Sequence, residues 1–215
     1  MLKLKKYMTV IVITIFVSML VGLVFLLQPI DRLSETQIAV LRSDYPIYEL
    51  DNPPMMSAII PTLDEYIEFT DCFVYGEVVG DMKTYSKYAS SGIPELDEKG
   101  RANGITGIET YYEYSVRVLE DTEGIYQPGD ILTIRNNIRF LDYRPKFENG
   151  MKIVFGAAGL EERPDITGCM TVGTYYVTDD GYALSAFPEE QKTMKSRGTY
   201  SGVKVEYLLK QLKKK

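Results

Sequence analysis

The sequence predicts a mainly β fold, namely a small antiparallel barrel or sandwich flanked by short helices and preceded by one transmembrane helix. Three observations support this prediction. An uncharged run of 21 residues lies near the N-terminus, one segment alternates apolar and polar residues, and turn signals separate several short β-prone segments. Neither a G-x-G-x-x-G motif nor a phosphate-binding loop occurs, so a nucleotide-binding βαβ fold is not indicated.

The N-terminal segment has the features of a membrane anchor. Residues 1–6 form a basic head with three lysines, and residues 7–27 are apolar and uncharged. At about 1.5 Å per residue, residues 7–27 are long enough to cross a hydrocarbon core of about 30 Å. The basic head predicts a cytoplasmic N-terminus and an extracytoplasmic domain, hence a single-pass protein of the cell membrane. A cleaved signal peptide is the alternative, although its apolar region is usually shorter and a small-residue cleavage site normally follows it.

Residues 28–61 are predicted to be a linker. Prolines at positions 46, 53 and 54 favour extended backbone, whereas residues 33–41 have the pattern of a short helix. The domain then spans residues 62–215 and begins with a helix over Leu63–Phe69. Thr62 and Glu65 have the spacing of a capping box at the start of that helix.

Five or six strands are predicted between this helix and a closing one. The clearest is the segment around Tyr112–Val118, where apolar and polar residues alternate as they do on a half-buried strand. The other predicted strands are residues 72–79, 131–135, 151–155, 171–178 and 182–187. Turn signals occur at 127–130, 149–150 and 180–181. The closing helix has an apolar stripe made of Val205, Leu208, Leu209 and Leu212.

The charge distribution argues against nucleic acid as a partner. The formal net charge is −6, but residues 31–203 contain 16 basic and 29 acidic side chains and therefore carry −13. Such a surface repels phosphate backbones and anionic headgroups. It could attract cations or basic partners, and it also fits a surface that is simply well solvated.

The chain contains no histidine, which removes the mechanisms that need an imidazole. We therefore predict a protein that is not an enzyme and has no cofactor. The run Asp97–Gly104 superficially suggests calcium, but Lys99 and Arg101 stand where an EF-hand loop needs acidic or amide ligands. No metal site is predicted.

Tyrosines on the predicted strands are the candidate ligand contacts, namely Tyr111, Tyr112, Tyr114 and Tyr176, together with Tyr175. Aromatic side chains exposed on a sheet can stack on sugars or bases. The alternative is that roughly half of these side chains face the core, since aromatic residues favour half-buried sheets. The long segment 81–108 is predicted to be a connecting loop, either a binding loop or a flexible insertion.

Cys72 and Cys169 are the only cysteines. A disulfide between them is chemically allowed outside the cytoplasm, and two buried free thiols are the alternative.

The segments 70–78, 114–118, 128–134 and 150–155, with the closing Tyr200-Ser201-Gly202, resemble a group of small, mostly uncharacterised bacterial extracytoplasmic domains. The resemblance covers roughly residues 63–212. These domains look like OB-type five-stranded barrels, so the resemblance implies an OB-like barrel and an extracytoplasmic location. It implies no catalytic residues.

The functional hypothesis from sequence is a membrane-anchored extracytoplasmic module that binds a ligand or a protein partner. The first alternative is a structural accessory subunit whose anchor helix pairs with another membrane protein. The second is a carboxylate-dependent hydrolase of cell-envelope polymers, which would need two converging acids at glycosidase spacing.

Overall fold

A computed structural model describes residues 30–48, 63–88, 93–104, 107–160, 163–167, 173–188 and 200–214. The chain divides into two compact units, Met1–Asp31 and Arg32–Lys215, and the described residues belong almost entirely to the second. The predicted transmembrane helix lies outside the described residues. Within them, no helix is both long and apolar enough to cross a bilayer.

The described part of the second unit is mainly β, with a few short helices, as the sequence predicts. The α-helices are α1 (Glu35–Leu41), α2 (Leu63–Phe69), α3 (Pro94–Ala102) and α4 (Val205–Leu212), and a 3₁₀ helix covers Ile138–Tyr143. The strands are β1 (Cys72–Val78), β2 (Lys83–Tyr88), β3 (Ile108–Asp121), β4 (Ile131–Asn137), β5 (Lys152–Ala157), β6 (Gly159–Leu160), β7 (Arg163–Thr167), β8 (Tyr175–Val177) and β9 (Ala183–Ser185).

These strands form one sheet in the order β6-β7-β4-β3-β1-β5-β8-β9, with β2 paired to β3 beside this series. The neighbours are antiparallel except β4 and β7, which are parallel. The long strand β3 pairs with β2 through its first half and with β1 through its second half, so β1 and β2 lie along the same edge of β3.

The hydrogen-bonded sheet is open, and this corrects the predicted closed barrel. Its series of strands ends at β6 and β9, and no ladder joins these two strands among the described residues. The outer edge of β9 is already occupied by the chain that leads into α4. The backbone N–H of Ala183 donates to Val203 at 2.8 Å, and that of Gly202 donates to Ala183 at 2.7 Å. An edge whose backbone groups are paired in this way has few left for another strand.

The apolar core lies on both faces of the sheet. One cluster gathers inward-facing residues of β1, β3, β4 and β5, including Val74, Tyr114 and Ile134, and the other packs α2 and α4 against β1, β5 and β8. The predicted stripe of α4 is confirmed, because its four apolar residues are all buried in the second cluster. Burial of these helices explains why β5 is buried over nearly its whole length, as a strand covered on both faces is expected to be.

The predicted turns form where proline and glycine favour them. Gly129 has φ 100°, and the N–H of Asp130 donates to the carbonyl of Gln127 at 3.0 Å, as in a type II turn. The β8–β9 hairpin has Gly181 at φ 79°, with the N–H of Gly181 donating to Thr178 at 2.8 Å. Both glycines adopt the left-handed conformation that side chains with a Cβ rarely enter.

Residues 32–48, which the sequence assigns to the linker, pack against the domain instead. The backbone N–H of Leu33 donates to Gly202 at 2.8 Å, and that of Tyr48 donates to Ala186 at 2.9 Å. Between them lies α1, whose N-cap Ser34 forms a capping box with Gln37. The prolines of this segment indicate an extended backbone. They give no information about the carbonyl groups of Gly202 and Ala186, far along the chain, that accept its hydrogen bonds.

Candidate functional site

The outer face of strands β2, β3 and β4 carries the candidate site. Side chains alternate across β3, so Tyr112, Tyr114 and Val116 are buried while Tyr111, Glu113 and Ser115 stay half-buried on the other face. This is the face on which polar side chains are gathered. The described residues of the three strands place two tyrosines and several charged side chains there.

Tyr85 of β2 and Tyr111 of β3 form the centre of this site. They are direct partners in the antiparallel register, and their rings stack with centroids 5.7 Å apart and planes inclined by 22°. Offset stacking at this distance is a favourable aromatic arrangement. Cross-strand neighbours on one face are close enough for such contacts, so the pair is fixed by the strand register itself.

A cation lies over each of the two rings. The Nζ atom of Lys87 is 5.1 Å from the Tyr111 centroid, and the Cζ atom of Arg135 is 5.3 Å from that of Tyr85. Both distances are within the range of cation–π attraction. We call these four residues, Lys87, Tyr111, Tyr85 and Arg135, the tyrosine platform.

Acidic side chains hold the platform in place. Arg135 donates through both Nε and Nη2 to Oε1 of Glu113, each at 2.6 Å, and both side chains are 20% exposed. Charge-assisted hydrogen bonds of this kind are stronger than neutral ones. On the other side of the stack, the hydroxyl of Tyr111 donates to the carboxylate of Glu109.

The pKa of Tyr111 is raised above its ordinary value. The hydrogen bond to Glu109 is the largest cause, because it needs the protonated hydroxyl, and burial adds to it. The ring therefore stays neutral at physiological pH and keeps a polar edge beside its apolar face.

The charge of this face is nearly balanced, in contrast to the acidic domain. Its basic members are Lys83, Lys87, Arg117 and Arg135, and its acidic members are Glu77, Glu109 and Glu113. Four pairs of these opposite charges are direct partners in the strand register, namely Lys83 and Glu113, Lys87 and Glu109, Glu113 and Arg135, and Glu77 and Arg117. Such a face offers both donors and acceptors without a strong field of one sign.

Of the five tyrosines that the sequence offers as candidate ligand contacts, Tyr111 is the one at the surface. Tyr112, Tyr114 and Tyr176 are at most 2% exposed and belong to the core. Tyr114 and Tyr176 both pack against Phe147, with ring centroids 5.2 and 6.0 Å from it. Burial raises the pKa of both tyrosines. Tyr175 is also buried, in the other cluster.

Sequence reasoning missed the partners of Tyr111 because it assigned residues 81–108 to a loop. The structure places β2 and α3 within that segment. A signal was present, since Lys83, Tyr85 and Lys87 alternate on one strand as Glu109, Tyr111 and Glu113 do on the next. Complementary charges around an aromatic pair are typical of neighbouring antiparallel strands.

Cys72 is a free thiol that is 1% exposed, and burial raises its pKa to about 12. Cys169 lies outside the described residues, so the sequence's two alternatives for the pair, a disulfide or two free thiols, are not tested for Cys169. Within the described part of the chain, no group of three acidic, cysteine or histidine side chains is arranged to hold a metal ion.

Comparison with protein families finds no family model that matches the chain, and comparison with curated proteins finds no significant match.

Proposed function

We propose that this chain is a membrane-anchored extracytoplasmic module that binds saccharide chains through the tyrosine platform. The observation that carries the proposal is the stacked pair Tyr85 and Tyr111, held at the surface by Arg135 and Lys87. A tyrosine that only fills the core would not need to be kept at the sheet surface. Two aromatic rings kept at a sheet surface among balanced charges are suited to recognition.

We also infer that the central strands follow the order of an OB-type barrel left partly open. Strand β1 pairs with β3 and β5, β3 pairs with β4, and β4 pairs in parallel with β7. Strand β7 pairs in turn with β6, which Ala158 alone separates from β5. If β5 and β6 act as one bent strand, the five strands form a ring of neighbours, as in the partly open OB barrel.

This inference places the tyrosine platform where OB folds bind their ligands. Their second and third strands form the binding face, and β3 and β4 occupy these positions here. Tyr111 lies on β3 and Arg135 on β4, both on the outer face.

Saccharides fit this face better than the other usual OB ligands. Oligonucleotides carry a phosphate backbone, which the net charge of −13 on residues 31–203 repels. A sugar ring presents C–H groups that pack on an aromatic face and hydroxyls that both donate and accept. Glu109 and Glu113 supply acceptors for such hydroxyls, and Lys87 and Arg135 supply donors.

Binding without cleavage is the activity that this face supports. Glu109 and Glu113 are four residues apart on one strand, which separates their backbones by about 13 Å at a rise of about 3.3 Å per residue. Glycosidases need their two carboxyl groups within about 5–9.5 Å of each other. The two acids of the platform are therefore better suited to holding a sugar than to hydrolysing its linkage.

The experiment is a titration of the full chain, in lipid nanodiscs, with chitotetraose, cellotetraose and maltotetraose, read by calorimetry. We expect saturable binding of at least one of these probes and at least a tenfold loss of affinity in Tyr111→Ala, which is about 1.4 kcal/mol. Tyr143→Ala is the matched control, since Tyr143 lies in the 3₁₀ helix and is not one of the four platform residues. Absence of binding to all three, or equal binding by Tyr111→Ala, would contradict the proposal.

The location is tested separately with a C-terminal tag. In intact cells or right-side-out vesicles, external protease should remove the tag if residues 7–27 anchor the chain with its N-terminus inside. Co-purification in mild detergent addresses the structural accessory subunit. A stoichiometric membrane partner, together with no saccharide binding, would favour that alternative.

A further inference from the structure

One further side chain lies in the same row of the sheet as the two stacked tyrosines. Asn137 is the last residue of β4 and the direct partner of Tyr111 in the antiparallel register. Tyr85 is the partner of Tyr111 on the other side, so the three residues form one row across β2, β3 and β4. Because cross-strand partners point to the same face of a sheet, Asn137 lies on the outer face, beside Tyr111 and opposite Tyr85.

The carboxamide of Asn137 is held by its oxygen. Asn137 is the N-cap of the 3₁₀ helix Ile138–Tyr143, and its Oδ1 atom accepts from the backbone N–H of Arg139 at 3.1 Å. A backbone N–H can only donate, so this bond fixes which end of the carboxamide is the oxygen. The Nδ2 atom has no hydrogen-bond partner among the described residues and is not one of their buried atoms that lack a partner. Its two N–H groups therefore face solvent beside the Tyr111 ring.

A fixed pair of donors next to an aromatic ring matches the acetamido group of an amino sugar. The carbonyl oxygen of that group accepts hydrogen bonds, and its methyl group is apolar and packs on an aromatic side chain. A sugar hydroxyl in the same place fills the polar part of this arrangement and leaves the apolar part empty. A sugar carboxylate would also accept from Nδ2, but the net charge of −13 on residues 31–203 disfavours an anionic ligand.

We propose that Asn137 selects saccharides that carry acetamido groups. Its Nδ2 atom donates to the acetamido carbonyl, and the acetamido methyl group packs against Tyr111. This inference rests on the proposed saccharide binding and names the class of sugar. A site built to hydrogen-bond one substituent discriminates against the analogue that lacks it. Because Nδ2 is open to water in the free protein, we expect a preference of about tenfold, well below the ratios that fully buried sites reach.

Chitotetraose and cellotetraose are matched probes, because they share one backbone and differ in having an acetamido or a hydroxyl group at C2 of each ring. The full chain in nanodiscs is titrated with each by calorimetry, and chitotetraose should bind about tenfold more tightly. Asn137→Asp keeps an oxygen for the Arg139 N–H and removes both donors, and Asn137→Ser keeps a neutral capping oxygen. Both variants should weaken chitotetraose binding at least about fivefold and leave cellotetraose binding within about twofold of the wild type.

Asn149→Asp is the matched control for the Asn137 variants. The Oδ1 atom of Asn149 also accepts a backbone N–H, from Gly80 at 2.7 Å, but Asn149 is exposed and lies outside β2, β3 and β4. This variant should bind chitotetraose as the wild type does.

The outcomes separate this inference from saccharide binding itself. If cellotetraose binds as tightly as chitotetraose, or if maltotetraose alone binds, while Tyr111→Ala still weakens binding, the acetamido preference is overturned and the proposed function stands. Equal binding of chitotetraose by the wild type, Asn137→Asp and Asn137→Ser would overturn the role of Asn137. Absence of binding to all three sugars would contradict both proposals.

Discussion

Tyr85 and Tyr111 stack across two neighbouring strands, with ring centroids 5.7 Å apart, on the face of the sheet that is turned away from the core. The adjacent Tyr112 points the other way and is fully buried. Two consecutive tyrosines thus serve different purposes, because side chains alternate across a strand. Substitutions of these two tyrosines should therefore have different effects.

Tyr111→Ala and Tyr112→Ala should differ sharply in stability. Removal of the Tyr112 ring leaves a cavity in the core and should cost about 3–5 kcal/mol of the free energy of unfolding. Removal of the Tyr111 ring loses a surface stack and should cost about 0.5–1.5 kcal/mol. Thermal unfolding of the full chain in detergent, followed by near-ultraviolet circular dichroism, measures both. Equal costs would show that the two faces of β3 are misassigned.

The pair Arg135 and Glu113 should show a larger coupling energy than the pair Arg117 and Glu77. The first pair is 20% exposed on both sides with contacts of 2.6 Å, whereas the second is 50% and 33% exposed at 3.4 Å. We expect about 1–2 kcal/mol for the first and below about 0.5 kcal/mol for the second, since exposed pairs contribute little. Double-mutant cycles with glutamine substitutions measure both values. A ranking in the opposite order would contradict the description of the platform.

Cys72 should not react with maleimide in the folded protein at pH 8. It is 1% exposed, and burial raises its pKa to about 12, so the thiolate is scarce and shielded. In denaturant without reductant, both cysteines should label, because Cys72 is free and the chain has two. A disulfide-bonded chain would instead yield no label until it is reduced.

The same thiol should contribute to a loss of stability at high pH. Its pKa is about 12 in the folded state against an ordinary 9.0, so the folded state keeps the proton longer than the unfolded state does. Its contribution is complete below about pH 9 and is lost as the pH rises towards 12. Cys72→Ala should therefore flatten the decline in stability between these values. An unchanged slope would contradict the raised pKa.

Arg42→Ala should release residues 32–48 from the rest of the domain before the domain unfolds. The side chain joins Ser185 and Ser201 of the domain to the carbonyl of Tyr45, and its loss should cost about 2–3 kcal/mol. Limited proteolysis should then cut within residues 32–48 faster than in the wild type. Arg139→Ala, at an exposed site, should leave the cleavage pattern unchanged. No faster cleavage in Arg42→Ala would show that this segment is held by other contacts.

Local patterns in the sequence predict much of this fold. The alternation in β3, the apolar stripe of α4 and the turns at Gly129 and Gly181 depend on near neighbours, so they are visible without a structure. Strand β2 was hidden, because its surroundings are rich in glycine and serine and its pairing partner lies beyond α3. The register that places Tyr85 opposite Tyr111 depends on how two strands pair, so it cannot be read from either strand alone.

Pairing between segments far apart in the chain accounts for the other differences between the predicted fold and the structure. The parallel contact of β4 with β7 and the hydrogen bonds that hold residues 32–48 join segments far apart in the chain. No local signal encodes such contacts. The same limit applies to the tyrosines, since the sequence offers five candidates and the sheet brings one of them, Tyr111, to the surface.

The most direct measurement is an NMR titration of the full chain in nanodiscs, labelled with ¹³C in the tyrosine rings and assigned by single Tyr→Phe substitutions. In separate titrations with chitotetraose, cellotetraose and maltotetraose, the ring signals of Tyr85 and Tyr111 should shift in a saturable manner with at least one of the sugars, while those of Tyr112 and Tyr114 stay in place. Unchanged signals for Tyr85 and Tyr111 at saturating amounts of all three sugars, or equal shifts of the surface and core rings, would contradict a saccharide site on this face.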